Sequence, residues 1–446
     1  GLSRAMTFDE RKSQPEKPEK GFLKLSKAQT FVGEAVARSR SVSMADEALP
    51  YPDIIYRRYF NMEGDLTKSI PPLNRNKTAV DEVSIPLVDD SSTRAKSDKD
   101  AVIVVDTFST GAMLANNLYH LGYKIICVLS GDLKDLLTMI PEGLDVKFAE
   151  TLVLNTSIEE DLALQNLLEE INTLDLNVLA VFAGAETGVE LADMLSERLN
   201  LRTNGTALSE ARRNKYVMGE TVRAAGIRAV KQLKASSWGE IESWLRDWNP
   251  NPFKVIVKPM DSAGSDGVTL CHSFDEVHMA FDKLVGAVNG LGLVNRAVLV
   301  QEYLEGDEYV IDTVSRDGVH KVVAIWIYDR RAANGAGFVL FGQKLLTIDD
   351  EHCREMVEYQ KKVITALGIR NGPTHGEVKW CRGEPVLVEV GARCQGGDGM
   401  SVKVAEECLG FSQVGESIYA YLDEKKFNEL PEFVSSLLLL SYLMWI

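Results

Sequence analysis

The 446-residue chain has little of what would place it in several large functional classes. Cysteine is scarce: the six residues at 127, 271, 353, 381, 394 and 408 form no CxxC pair and no dense framework. That excludes a disulfide scaffold, leaves zinc without a visible ligand set, and fits free thiols in a reducing compartment. No apolar run reaches the roughly 20 residues that span a bilayer, so no membrane span is expected, and the short apolar tail 435–446 reads as a closing core helix or strand. Positive charge is in deficit, 49 Lys and Arg against 65 Asp and Glu for a net charge of -16, and no basic patch offsets it. Nucleic acid is therefore not an expected partner. The Walker phosphate-loop pattern is absent, and GLGLVN at 290–295 lacks the third glycine of a dinucleotide fingerprint. Lys, Arg and Ser at 20–44 faintly suggest a leader, but Glu10, Glu16, Glu19 and Glu34 oppose it. A cytoplasmic protein is the expectation, with organelle targeting left open, as is a start upstream of Gly1.

What is present is enough apolar material, 45% of residues, for two or three packed units. Residues 1–100 read as an N-terminal extension and linker, polar and basic at first and solvated at 86–100. From Ala101 the β-branched runs 101–106, 124–130 and 177–184 alternate with helical patterns, clearest at 158–174, which implies βαβ units and a parallel sheet. The turn 184–188 after the third run is then a candidate pocket edge, although a plain strand-to-helix turn would look the same. Further on, a basic helix near Arg212, strands at 253–259 and 267–271 and a helix at 274–284 form a second unit. A third has a strand at 297–304, a hairpin turning at Asp317 and Gly318, a Gly-rich stretch at 330–338, a helix near 352–367 and a hairpin at 374–391. The expected class is α/β followed by α+β, with units at 101–205, 206–296 and 297–446.

Three segments carry chemistry. In THGEVKWCRGEPVLVEVGAR, a three-residue loop Arg382 to Glu384 would pair Cys381 with Pro385, Lys379 with Leu387 and Glu377 with Glu389. Directly opposed carboxylates destabilise a sheet unless neutralised, and a hard divalent cation is the natural neutraliser. A solvated polar face in another register is the alternative. In VIVKPMDSAGSDGV, Lys258 ends an apolar strand before a loop of small residues whose N–H groups can wrap phosphate oxygens. In VLVQEYLEGDEYVID, the strand delivers Glu302, Tyr303 and Leu304 as a wall for a flat base, with Glu308 in reach of a ribose hydroxyl; an ordinary acidic loop would read alike.

Taken in order, ARRNKYVM (211–218), the Lys258 segment, QEYLEGDEYVID (301–312), GEVKW and VEVGAR resemble the ATP-grasp superfamily. With FAGAETGVELADMLSERLNL (182–201), the resemblance is closest to L-amino acid ligases and carnosine synthase. It covers about 101–430, is strongest over 205–395, and implies an ATP-grasp architecture preceded by a parallel-sheet domain. It also implies an ATP-dependent ligase that activates a small-molecule carboxylate as an acyl phosphate and joins it to an amine, releasing ADP. By the same resemblance Lys215 and Lys258 contact ATP phosphates under the loop Ser262, Ala263, Gly264, Ser265 and Gly267. Glu302, Tyr303 and Leu304 meet adenine, Glu308 holds the ribose, Glu377 and Glu389 bridge one or two Mg2+ ions, and Arg393 faces the reacting groups. Two positions depart from the superfamily pattern: Gly391 replaces a metal-ligating Asn, and His375 replaces an Arg. A protonated His375 could still donate to the transferring phosphate. A different acceptor, or an inactive nucleotide-binding regulator, stays open, as does a homodimer.

Overall fold

The run DAVIVV shows no polar alternation because both of its faces are covered: Asp100–Val105 forms β1, buried throughout. The computed structural model describes residues 97–141, 143–260, 267–288, 294–333, 336–434 and 443–445. The extension at 1–96 and the loop residues Ser262, Ala263, Gly264 and Ser265 lie outside them. β2 (Lys124–Leu129), β3 (Phe148–Val153) and β4 (Asn177–Ala183) run parallel to β1 in the order β3-β2-β1-β4. Alternate residues of β1 feed two cores. Val102 and Val104 pack with α1 (Thr110–His120), and Ile103 and Val105 pack with α2 (Glu160–Thr173) and α3 (Val189–Arg198). The strand order reverses between β1 and β4, which is where open α/β sheets hold ligands.

A corner of α4 (Ser209–Arg213) and α5 (Lys215–Ala224) leads to an antiparallel sheet of β5 (Gln232–Ala235), β6 (Val255–Pro259), β7 (Thr269–Cys271) and β8 (Val298–Glu302), ordered β5-β8-β6-β7. β8, assigned by the sequence reading to the last unit, hydrogen-bonds between β5 and β6. One face is sealed by α6 (Trp238–Trp248) and α7 (Phe274–Leu284), whose Ile241, Leu245, Val277 and Phe281 meet Val255, Val257, Val298 and Val300. Ser237 and Glu240 close a capping box on α6, and Ser273 caps α7; each such cap contributes about 1 kcal/mol.

The third sheet is antiparallel: β9 (Glu308–Arg316), β10 (Val319–Ala333), β11 (Ala336–Leu346), β12 (Gly372–Cys381), β13 (Glu384–Gly391) and β14 (Leu443–Trp445), in the order β13-β12-β9-β10-β11-β14. Asp317 and Gly318, with φ of 51° and 89°, make the expected turn between β9 and β10. α8 (Cys353–Ala366) packs on one face; α9 (Met400–Leu409), α10 (Gln413–Leu422) and α11 (Glu424–Glu429) pack on the other. Of the Gly-rich stretch 330–338, the residues up to Ala333 belong to β10 and those from Ala336 to β11, with Ala333 paired to Ala336. Within the apolar tail, Leu443–Trp445 pairs with β11, the strand alternative. No helix among the described residues is long and apolar enough to cross a membrane, and all six cysteines are free and buried.

Candidate active site

The hairpin β12–β13 turns through Arg382 and Gly383 alone, whose φ of 55° and 85° are those of a two-residue primed turn. Cys381 therefore pairs with Glu384 and Lys379 with Val386, one residue off the expected register. A bulge at Val388 absorbs the offset, so Glu377 stands opposite Glu389 after all. The bulge also reverses the inside–outside alternation: Leu387 and Val390 both enter the core under α8, and Glu389 is left on the cavity side. Tyr359 of α8 pins this point, its hydroxyl accepting from the Leu387 N–H at 2.8 Å.

Side-chain cations neutralise the opposed carboxylates. Asn214 caps α5 by accepting from the N–H groups of Tyr216 and Val217, which makes Lys215 the first helical residue and puts its Nζ 2.7 Å from Glu389 Oε2. Arg330 of β10 lies 3.3 Å and His375 Nε2 3.5 Å from Glu377 Oε1. The two carboxylates fit a small hard cation that leaves its other positions to phosphate oxygens and water. Among the described residues no group of three or more His, Cys, Asp and Glu is arranged to hold a metal alone, so one bound here would need a ligand's oxygens as well.

Between the two antiparallel sheets lies a cavity of about 300 Å³ lined by Lys215, Lys258, Glu308, Glu377 and Glu389 and by the strand-end residues Glu302, Tyr303 and Leu304. Val230, Leu304 and Val386 with Val388 give it an apolar cluster. The Glu302 carboxylate turns outward, 2.7 Å from Arg228 and accepting from the Lys231 N–H at 2.9 Å, so only its backbone is left for a base. Glu308 is buried and paired with Arg330 at 2.5 Å and Lys379 at 3.8 Å. Gly267, with φ 70°, returns the loop to the sheet where a Cβ would come 2.8 Å from Pro259 Cγ; it does not line the cavity. Burial, then the neighbouring Lys215 charge, pushes the Lys258 ammonium down to about 8. Burial resists ionisation of Glu389, but Lys215, Lys258 and Arg393 outweigh it and hold the carboxyl well below its usual range, at about 2.

His375 and Arg393 stand behind the cavity wall. Burial disfavours the His375 imidazolium, yet Asp312 at 2.9 Å from Nδ1, then Glu377, raise it to about 9. Asp312 in turn accepts from Trp326 Nε1 at 2.9 Å. Arg393 is 3.0 Å from Glu186 Oε2, and Arg213 donates to the other oxygen at 2.8 Å. Gly391, the register partner of His375, has a physical reason to lack a side chain: a Cβ there would lie 2.7 Å from Glu186 Oε2. The turn after β4 thus does reach the site, through Glu186. Sequence reasoning missed Arg330, Asp312 and Glu186. Arg330 alone left a local signal, its two-residue spacing from Tyr328 along β10.

Residues 251–402 match the ATP-grasp domain family. Over 337 residues the chain is 33% identical to dapdiamide A synthase of Enterobacter agglomerans, an alignment covering 74% of this chain and 75% of that protein. Alanine–anticapsin ligase of Bacillus subtilis strain 168 is 27% identical over 45% of each chain. Among solved structures, an L-amino acid ligase from Bacillus licheniformis superposes with a TM-score of 0.56 at 20% identity, covering 74% of this chain and 75% of that one.

Proposed function

The chain belongs to the ATP-grasp ligases, the family that includes dapdiamide A synthase, and from that premise we propose that it joins the carboxylate of one amino acid or similar small molecule to the amine of another. The observation that carries this reading is the cross-strand pair Glu377–Glu389 facing Lys215 and Lys258 in a cavity that also offers an apolar wall. A carboxylate does not react with an amine while oxide is the leaving group. Phosphorylation by ATP makes the leaving group phosphate, and ADP is released.

In this reading Glu377 and Glu389 hold magnesium, which neutralises charge on the polyphosphate when bound. Lys215 and Lys258 bind phosphate oxygens. Leu304, Tyr303 and the backbone of Glu302 meet the base, and Glu308 the ribose. His375 donates from Nε2 toward charge developing beside Glu377, and Arg393 orients the reacting carboxylate. Preorganised charge and positioning suffice; no protein nucleophile is needed. The net charge of -16 supports small-molecule partners over nucleic acid, and the buried free thiols support a reducing, cytoplasmic setting.

The test is ADP release across a panel of amino acids offered singly and in pairs. Release that requires both a carboxylate and an amine supports the ligase; ATP binding without turnover under any pair overturns it. A second expectation follows from Lys258. Free, its ammonium titrates near 8; a phosphate beside it favours the charged form and raises that value. Nucleotide binding above pH 8 should therefore be accompanied by proton uptake, and affinity should fall as pH rises beyond about 8. Calorimetry with ADP in buffers of different ionisation enthalpy reads this uptake, which should vanish in Lys258→Met.

A further inference from the structure

Arg330, like Lys379, is a cation lining the cavity that no role above uses, and of the two it is the one that reaches Glu377. Its guanidinium sits against Glu308 at 2.5 Å and Glu377 at 3.3 Å, and it lies over the Tyr328 ring at 5.0 Å. A register shift in the β10–β11 pairing falls between Asp329 and Arg330, a local break of the kind that re-aims a side chain. Arg330 and His375 face Glu377 at 3.3 and 3.5 Å, and Lys215 meets Glu389 at 2.7 Å with Lys258 and Arg393 nearby. A divalent cation bound by Glu377 and Glu389 would compete for the same oxygens with Lys215 and Arg330, the cavity-lining cations that touch those two acids. Both line the cavity, where the anions left to them would be Glu308, already 2.5 Å from Arg330, and the polyphosphate.

We propose that Arg330 is a further catalytic residue that exchanges partners. It holds Glu377 in the nucleotide-free protein, gives that carboxylate up to the metal, and turns its planar fork onto the phosphate being transferred. This rests on the ligase reading for its chemistry, but not for the exchange itself. A guanidinium suits the task because it stays charged at every working pH and binds phosphate through two parallel N–H donors. The ring of Tyr328 gives it a surface to pivot on, and Lys379, 3.8 Å from Glu308, remains to neutralise that acid.

The experiment compares wild type with Arg330→Met in two readouts. One is Mn2+ affinity of the nucleotide-free protein by electron paramagnetic resonance; the other is ADP release. The exchange predicts opposite signs: Mn2+ binds at least about threefold tighter because its competitor is gone, while kcat falls about 10²-fold for the lost phosphate donor. A residue that merely props the sheet would weaken both, and unchanged Mn2+ affinity or unchanged kcat overturns the proposal. Should the Met variant fail to fold, Arg330→Lys decides: it keeps the competing charge, so wild-type Mn2+ affinity with kcat lowered about tenfold supports the exchange, and full activity overturns it. If wild type turns over no amine at all but the Mn2+ shift is present, the ligase reading falls and the partner exchange stands.

Discussion

Glu389→Ala is expected to lower ADP-forming turnover by about 10² or more while the protein stays folded, the scale of losing one preorganised charge-stabilising group. The carboxylate sits at the bulge where β13 changes face, and three cations converge on it. Without it the repulsion between Lys215 and Lys258 is offset chiefly by Glu377, the acid on which any metal would also have to rely. Backbone pairing of the hairpin does not depend on the side chain, so circular dichroism and thermal unfolding should stay close to wild type. Near-normal turnover in a folded variant would remove the metal-holding role from the hairpin.

The largest effect on stability is expected at Arg212, which is 1% exposed. It donates to Asp193 at 2.5 Å and to the carbonyls of Gly205, Asn204 and Leu367 at 2.8, 2.8 and 3.1 Å. These partners come from α3, from the connection after it and from the residue following α8, so one guanidinium ties the parallel-sheet layer to the last sheet's helix. Arg212→Ala strands Asp193, whose carboxyl burial already pushes upward, and should cost about 3–5 kcal/mol. The next residue but two is Lys215, so the variant should also lose nucleotide affinity before it unfolds globally. Denaturant titration read beside ADP binding checks both; an unchanged midpoint would show that the cluster is replaceable.

How much of this was legible in the sequence depended on the range over which each contact acts. Helix 274–284 and the apolar strands were readable because their periodicity is local and their caps adjoin them. β3 was not: it is a half-exposed edge strand, FAETLV, whose single buried residue gives no apolar run. The Glu377–Glu389 pairing was reached from a loop one residue too long, and only the bulge at Val388 returned the register to the same pair. A turn can be read from Arg-Gly, but a bulge is fixed by what packs beneath it, here Leu387, Val390 and Tyr359. Lys258 could be picked out near the end of an apolar strand, whereas Lys215 was reached only through the family resemblance. Glu186 and Asp312 could not, since they matter through residues more than 25 positions away. Arg330 was hidden at the start of a glycine-rich stretch with no strand pattern, although it lies within β10.

Gly391 divides labour within the molecule. Because that position is bare, a carboxylate from the turn after the parallel sheet reaches the space beside the acidic pair, so under the proposed function a stretch of chain remote from the hairpins would help shape the site. If the proposed function holds, rewriting the short crossover at 184–188 would be one route by which a descendant alters what it joins while keeping its acidic hairpin.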